Sequence, residues 1–233
     1  MVPPDTSRIF CVGVNYHSHA DETKELTDMD LPEYPMIFGR WAQSLSVDGT
    51  VIPVPPNEDG LDWEVEMAVI IKDSVFGATR ADALAHVFGY SVFNDVSARR
   101  KQTETTQFTL GKNADASGVL GPPELVTADE LPAGGTGLQV QTRVNGEVMQ
   151  DSNTDLLIHD VARIIEYITD TVTLLPGDVI ASGTPPAGSG SVASLRCCST
   201  PPATWSRSRS NGSAYCATPS APADPRPGVL PPP

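Results

Sequence analysis

Basic residues are scarce in this chain. Fifteen lysines and arginines stand against 29 acids over 233 residues, a formal charge of −14. A nucleic-acid binder needs a basic surface to neutralise phosphates, so that class is disfavoured, as is docking on an anionic membrane. No stretch approaches the roughly 20 apolar residues of a membrane-spanning helix. The opening Met1-Val-Pro-Pro-Asp5 has neither the basic n-region nor the apolar core of a secretory leader, and the cytoplasm is the expected compartment. Cysteine is also sparse, with Cys11 alone outside the C-terminal segment that holds Cys197, Cys198 and Cys216. That distribution does not suit a disulfide framework, and the tail cysteines lack zinc-ligand spacing and companion histidines. What is present, 39% hydrophobic and 19% charged residues, suits a soluble globular chain long enough for a sizeable core.

The averages hide a split. Residues 188–233 carry Arg196, Arg207, Arg209 and Arg226 against one acid, Asp224, within a run rich in proline, serine and alanine. Residues 1–187 hold the other 28 acids. The reading is a catalytic body over 1–187 and a low-complexity, disordered segment over 188–233.

Along the body, strand patterns dominate. Arg8–Val14, Pro35–Phe38, Glu64–Lys72, Tyr90–Val96 and Val179–Ser182 are short apolar or β-branched runs. Leu138–Val144 alternates, Asn145-Gly146 marks a tight turn, and Glu147–Gln150 returns as the second strand of a hairpin. Helices are expected at His17–Leu26, at Arg80–Phe88 with Gly89 as its stop, and at Leu156–Thr169, where Leu156, Leu157, Val161, Ile164, Ile165 and Ile168 form a stripe. The class is α+β and β-rich.

Asp62-Trp-Glu-Val-Glu66 is the first segment that suggests chemistry. In a strand, residues at i and i+2 share a face about 7 Å apart, so Glu64 and Glu66 project together. Like charges beside Met-Ala-Val-Ile-Ile are costly unless a cation lies between them. Asp95 ends another apolar strand, and three carboxylates converging from strands suit Mg²⁺ or Mn²⁺. A solvated strand face fits the same spacing. His19 and Glu22, at i and i+3, could form an imidazole–carboxylate pair that activates water, or simply lie on an exposed helix. Lys112 follows a glycine, and Gly183-Thr184-Pro185 offers a backbone N–H and a hydroxyl able to hold a carboxylate; alone, each also reads as ordinary loop chemistry.

As an ordered set the motifs are specific. Val12-Gly-Val-Asn-Tyr16, His19-Ala-Asp-Glu22, Pro35-Met-Ile-Phe38, Asp62-Trp-Glu-Val-Glu66, Phe88-Gly-Tyr-Ser-Val-Phe-Asn-Asp-Val-Ser-Ala-Arg99, Gly111-Lys112, Gly121-Pro122, Val144-Asn-Gly-Glu147 and Pro176-Gly-Asp-Val-Ile-Ala-Ser-Gly-Thr-Pro185 run in order. Together they resemble the fumarylacetoacetate hydrolase family. The resemblance implies a mixed β-sandwich roll of that family's C-terminal-domain type, usually dimeric. It also implies Mg²⁺ or Mn²⁺ held by Glu64, Glu66 and Asp95, and C–C cleavage in a small anionic 2,4-dioxo acid such as an acylpyruvate. Relatives isomerise, hydrate or decarboxylate similar oxo acids. By the same resemblance His19 and Glu22 activate water, Lys112 stabilises developing negative charge, Arg99 and Gln102 line the site, and Thr184 holds the substrate carboxylate.

Two positions depart from the pattern: Arg100 stands where an aspartate is common, and the basic residue near Phe38 is Arg40. The family's pattern also continues past Gly-Thr-Pro through a Gly-Val-Gly loop to a final alternating Val-Glu strand, and 188–233 does not show it, so the last strands are expected to be missing. Permitted codons for Ala203–Ser220, shifted by one base, read Asp-Val-Val-Glu-Val-Glu-Val-Glu-Arg-Leu-Gly-Val-Leu-Arg-Asn-Thr-Val, the absent strand pair. A single-base shift near Pro186–Gly188 accounts for the tail, and the chain as it stands could then be an inactive, truncated enzyme.

Overall fold

The computed structural model describes residues 8–17, 33–121 and 126–186, together with the backbone of Ser213–Thr218. Two sheets organise them. The larger has the order β2-β1-β10-β4-β5-β6-β3, built from β1 (Ile9–Gly13), β2 (Met36–Arg40), β3 (Leu45–Val47), β4 (Val65–Ile71), β5 (Val87–Asp95), β6 (Gly118–Leu120) and β10 (Val179–Ala181), with β7 (Val126–Thr127) added beside β5. The smaller holds β8 (Gln139–Val144) between β9 (Glu147–Asn153) and β11 (Ser213–Thr218). Two α-helices fall wholly within the described residues, α1 (Arg99–Thr103) and α2 (Val161–Thr169). The curled, mostly β architecture is the one the motifs implied.

β4 sits at the centre because its side chains are apolar on both faces. All seven of its residues are buried. Met67, Val69 and Ile71 enter a core with Val87, Tyr90 and the α2 residues Ile164, Ile165 and Ile168. Ala68 and Ile70 point the other way, into a core with Ile9, Cys11, Phe93, Val179 and Ala181. By the two-residue period of a strand, Glu64 and Glu66 continue this second face, so the carboxylates extend an apolar surface. α2 begins where Asp160 caps it, accepting a hydrogen bond from Arg163 N–H at 2.9 Å. The β8–β9 turn places Asn145 and Gly146 at positive φ (53° and 86°), as a two-residue hairpin with native twist requires.

Two expected helices are corrected. Arg80–Phe88 forms only a 3-10 turn, Ala83–His86, because β5 already starts at Val87. Gly89 is not a helix stop; it lies inside β5, opposite Ile70 on one side and Thr127 on the other. Sheet pairing on both flanks thus overrides local helix propensity. The Leu156–Thr169 pattern divides into a 3-10 turn, Thr154–Leu156, and α2, with Leu156 exposed. The helix expected at His17–Leu26 lies outside the described residues beyond His17. β11 falls inside the segment expected to be disordered, as a strand parallel to β8. The rest of that expectation, and of the missing strands, lies outside the described residues.

Candidate active site

The site forms where β4 begins and β5 ends. The strands are antiparallel with Val65 opposite Asn94, and Asp95 N–H donates to Glu64 C=O at 2.9 Å. Glu64, Glu66 and Asp95 therefore converge, each offering a carboxylate oxygen within 4.8 Å of the others. All three are buried, so the solvated-face reading fails.

Three anions this close and this dry need compensation. Lys112 Nζ donates to Glu64 Oε2 at 2.5 Å and to Asp95 Oδ2 at 2.7 Å. Arg40 Nε donates to Asp95 Oδ1, while its other nitrogens reach Ser117 Oγ (2.9 Å) and Val96 C=O (2.7 Å). Arg99 spans Glu64 Oε1 and Asp62 Oδ2, each at 2.6 Å. Glu66 is compensated differently: its Oε2 accepts the Gly183 N–H at 2.9 Å. Burial first, then Asp95 and Glu64, push the Glu66 carboxyl well above the usual range. Burial alone would lower the Lys112 ammonium, but Asp95 and Glu64 outweigh it and hold it up. The same contest, won by Glu64 and Asp62, raises Arg99.

Lys112 is thus buried (2% exposed), which sets aside the ordinary-loop reading of this residue. Gly111 makes this possible. A Cβ there would lie 2.4 Å from Gln102 Cβ and 2.5 Å from its Cα, so only glycine lets the lysine-bearing turn pack against α1. Gln102 is buried, and its Oε1 accepts from Arg99 at 2.7 Å, which leaves its amide N–H₂ as the donor end.

Gly183 corrects another expectation. Its N–H serves Glu66 and so is engaged within the protein. Thr184 remains as the substrate-facing candidate of that turn, its Oγ1 accepting from Gln150 Nε2 at 3.0 Å. The turn itself is held by Asn15. The Asn15 amide donates to His159 C=O (3.0 Å) and Ser182 C=O (2.7 Å), and its carbonyl accepts from His159 N–H (2.8 Å). Arg100 lies apart, pairing with Glu104 and Asn57 C=O at the surface, so this departure from the pattern does not enter the site. His19 and Glu22 lie outside the described residues.

A divalent cation fits this donor set. The ligands are hard oxygens, and each carboxylate offers about four lone-pair positions, more than the ammonium and guanidinium partners occupy. The tendency of Glu66 to hold a proton marks the position where positive charge is still wanted. Hard divalent cations such as Mg²⁺ and Mn²⁺ suit such oxygen ligands.

Residues 8–217 match the model of the fumarylacetoacetate (FAA) hydrolase C-terminal family. The chain belongs to that family. It is 40% identical over 181 residues to bovine mitochondrial oxaloacetate tautomerase FAHD2A, covering 77% of this chain and 56% of that one. It therefore spans a little over half the length of that relative. Among solved structures it resembles a fumarylacetoacetate hydrolase from Exiguobacterium antarcticum (35% identity, TM-score 0.71, covering 84% of this chain and 69% of that one). It also resembles a fumarylpyruvate hydrolase from Pseudomonas aeruginosa in complex with Mn²⁺ and pyruvate (28% identity, TM-score 0.65, 77% and 78%).

Arg40, Asn15 and Gln150 carry more of the site than their sequence contexts showed. Arg40 was visible only as a departure from a pattern. Asn15 sat inside a motif without a chemical reason for it, and Gln150 reads as one more polar residue in an alternating hairpin. None of the described helices is long and apolar enough to cross a membrane.

Proposed function

We propose that this protein is a divalent-metal-dependent hydrolase that cleaves a C–C bond in a 2,4-dioxo acid. The observation that carries the reading is the buried Glu64–Glu66–Asp95 cluster with Lys112 Nζ bridging two of its members. The bound metal would supply Lewis acidity and orientation for the oxo-acid oxygens. Lys112 uses two of its three N–H donors on Glu64 and Asp95, and the third is available to an oxygen on which negative charge develops. Gln102 presents its amide N–H₂ to the same space, and Thr184 offers its hydroxyl to the substrate carboxylate. His19, oriented by Glu22, would take a proton from the attacking water. An acidic protein can thereby accept an anionic substrate, since metal and lysine invert the local sign.

A second reading is an isomerase or tautomerase on the same scaffold. The oxaloacetate tautomerase relative favours it, as does the likeness to a 5-carboxymethyl-2-hydroxymuconate delta-isomerase from Mycobacterium smegmatis (35% identity, TM-score 0.67). Both chemistries generate an enolate beside Lys112; only hydrolysis needs the water-activating pair. Assays in Mn²⁺ with an acylpyruvate and with enol-oxaloacetate separate them. His19→Ala should abolish acylpyruvate cleavage, and retained cleavage would refute the hydrolytic role. Efficient ketonisation of oxaloacetate without acylpyruvate turnover would establish the second reading instead.

A further inference from the structure

Gln150, on β9 of the smaller sheet, is buried (2% exposed) and has every hydrogen-bonding position of its amide filled. Its Oε1 accepts from Val65 N–H at 3.0 Å and from Thr142 Oγ1 at 2.8 Å. Its Nε2 donates to Thr184 Oγ1 at 3.0 Å and to Pro185 C=O at 2.8 Å. The polarity of this chain is fixed at one end. Val65 N–H can only donate, so the amide oxygen must face β4 and the N–H₂ must face Thr184. The Thr184 oxygen is then an acceptor toward Gln150, and its single proton must go elsewhere. In the protein it reaches Pro185 C=O only at a long 3.4 Å, on a carbonyl shared with a Gln150 N–H at 2.8 Å, so a carboxylate oxygen at ordinary hydrogen-bond distance would be the better partner.

We infer that Gln150 is a positioning residue that turns the Thr184 hydroxyl into a donor, held in the protein only by a long contact to Pro185 C=O and so available to the substrate carboxylate, and that it couples this hydroxyl to the backbone between the two metal-site glutamates. Val65 lies between Glu64 and Glu66, so one side chain sets both the placement of that strand and the direction of the hydroxyl proton. The inference rests on the reading of Thr184 as carboxylate holder. It assigns the smaller sheet a task in recognition, since Gln150 reaches across from β9 to the end of β10.

The test is Gln150→Glu in the full chain, with the dissociation constant of pyruvate in saturating Mn²⁺ measured by calorimetry across pH, alongside the melting temperature. The introduced carboxyl, when protonated, accepts from Val65 N–H and can donate its one O–H to Thr184, giving up only the contact to Pro185 C=O. When ionised it can only accept, and it takes the Thr184 proton away from the ligand. Pyruvate binding by the variant should match wild type at low pH and weaken about tenfold as the new carboxyl ionises, while wild type lacks that transition. Charge repulsion alone would give a similar transition, so the same titration is run with Thr184→Val present. If the hydroxyl mediates the effect, the added transition disappears in the double variant. Persistence of the transition there, or its absence in Gln150→Glu with fold and Mn²⁺ binding intact, overturns the inference. Unchanged pyruvate affinity in Thr184→Val alone overturns the underlying assignment of Thr184 and the inference with it.

Discussion

Lys112 Nζ lies 2.7 Å from Asp95 Oδ2, with neither side chain reaching solvent. The lysine also holds Glu64, so a single ammonium joins two carboxylates of the metal cluster. A buried charge that loses its partner is strongly destabilising, whereas a metal can replace the lost cation. Lys112→Met should therefore lower metal-free stability by about 3 kcal/mol, with Mn²⁺ recovering much of the loss in a thermal melt. Turnover should fall at least about 100-fold even with metal bound, because the donor to the developing charge is gone. A melting temperature unchanged in chelator would contradict this account of the lysine.

Glu66 responds in the opposite sense. Burial, Asp95 and Glu64 favour its neutral form, so a neutral isostere should be accepted readily. Glu66→Gln is expected to melt no lower than wild type without metal. In wild type, Mn²⁺ at 100 times its dissociation constant should add about 2.7 kcal/mol, and the variant should lose that increment. Retention of the full Mn²⁺-induced shift would remove Glu66 from the ligand set.

Gly183 is constrained twice. Its φ is +98°, and an added Cβ would lie 2.7 Å from Asn15 Cβ and 2.9 Å from Val12 C=O. Gly183→Ala should cost about 2 kcal/mol or more, and the displaced N–H should weaken metal binding through Glu66. Denaturant unfolding and Mn²⁺ titration check the two effects separately. A variant of wild-type stability would show that the turn is softer than its geometry implies.

High pH should unfold the protein through buried phenols. Burial first, and the Glu66 charge second, raise the Tyr16 hydroxyl above its ordinary value of 10.0. Tyr90 is raised too, mainly by burial. A group with a raised folded-state pKa contributes its full stability below the unfolded pKa and loses it as pH rises toward the folded one. Stability should accordingly decline from about pH 10 upward, and Tyr16→Phe should flatten part of that decline. Melting curves between about pH 8 and pH 11 measure it; identical slopes for the two proteins would discount Tyr16.

Strand patterns were legible where composition and burial agree. The VEMAVII run announced a strand apolar on both faces, and Asn145-Gly146 announced its hairpin. The carboxylates were legible because a period of two places Glu64 and Glu66 together whatever the partner strand. Lys112 came forward only through the family resemblance; its burial was not legible locally, since it depends on Gly111 yielding space to Gln102, a contact between separate segments. Gln150 and Asn15 were hidden for the same reason: apart from Thr142, their partners lie 34 to 167 positions away, where local pattern carries no information. Helix propensity misled at Arg80–Phe88, where two flanking strands determined the outcome.

β10 lies between β1 and β4, pairing in parallel with the first strand of the described chain. A nascent chain therefore emerges with an open seam. Its N-terminal strand and its glutamate-bearing strand cannot be joined until residues 179–181 have left the ribosome. Throughout that interval two apolar strand edges stay unpaired, and the carboxylates of β4 lack the Gly183 N–H that will receive one of them. Folding to a competent site then awaits β10, across a sequence separation of about 170 residues, which is slow to close and exposed to wrong pairings meanwhile.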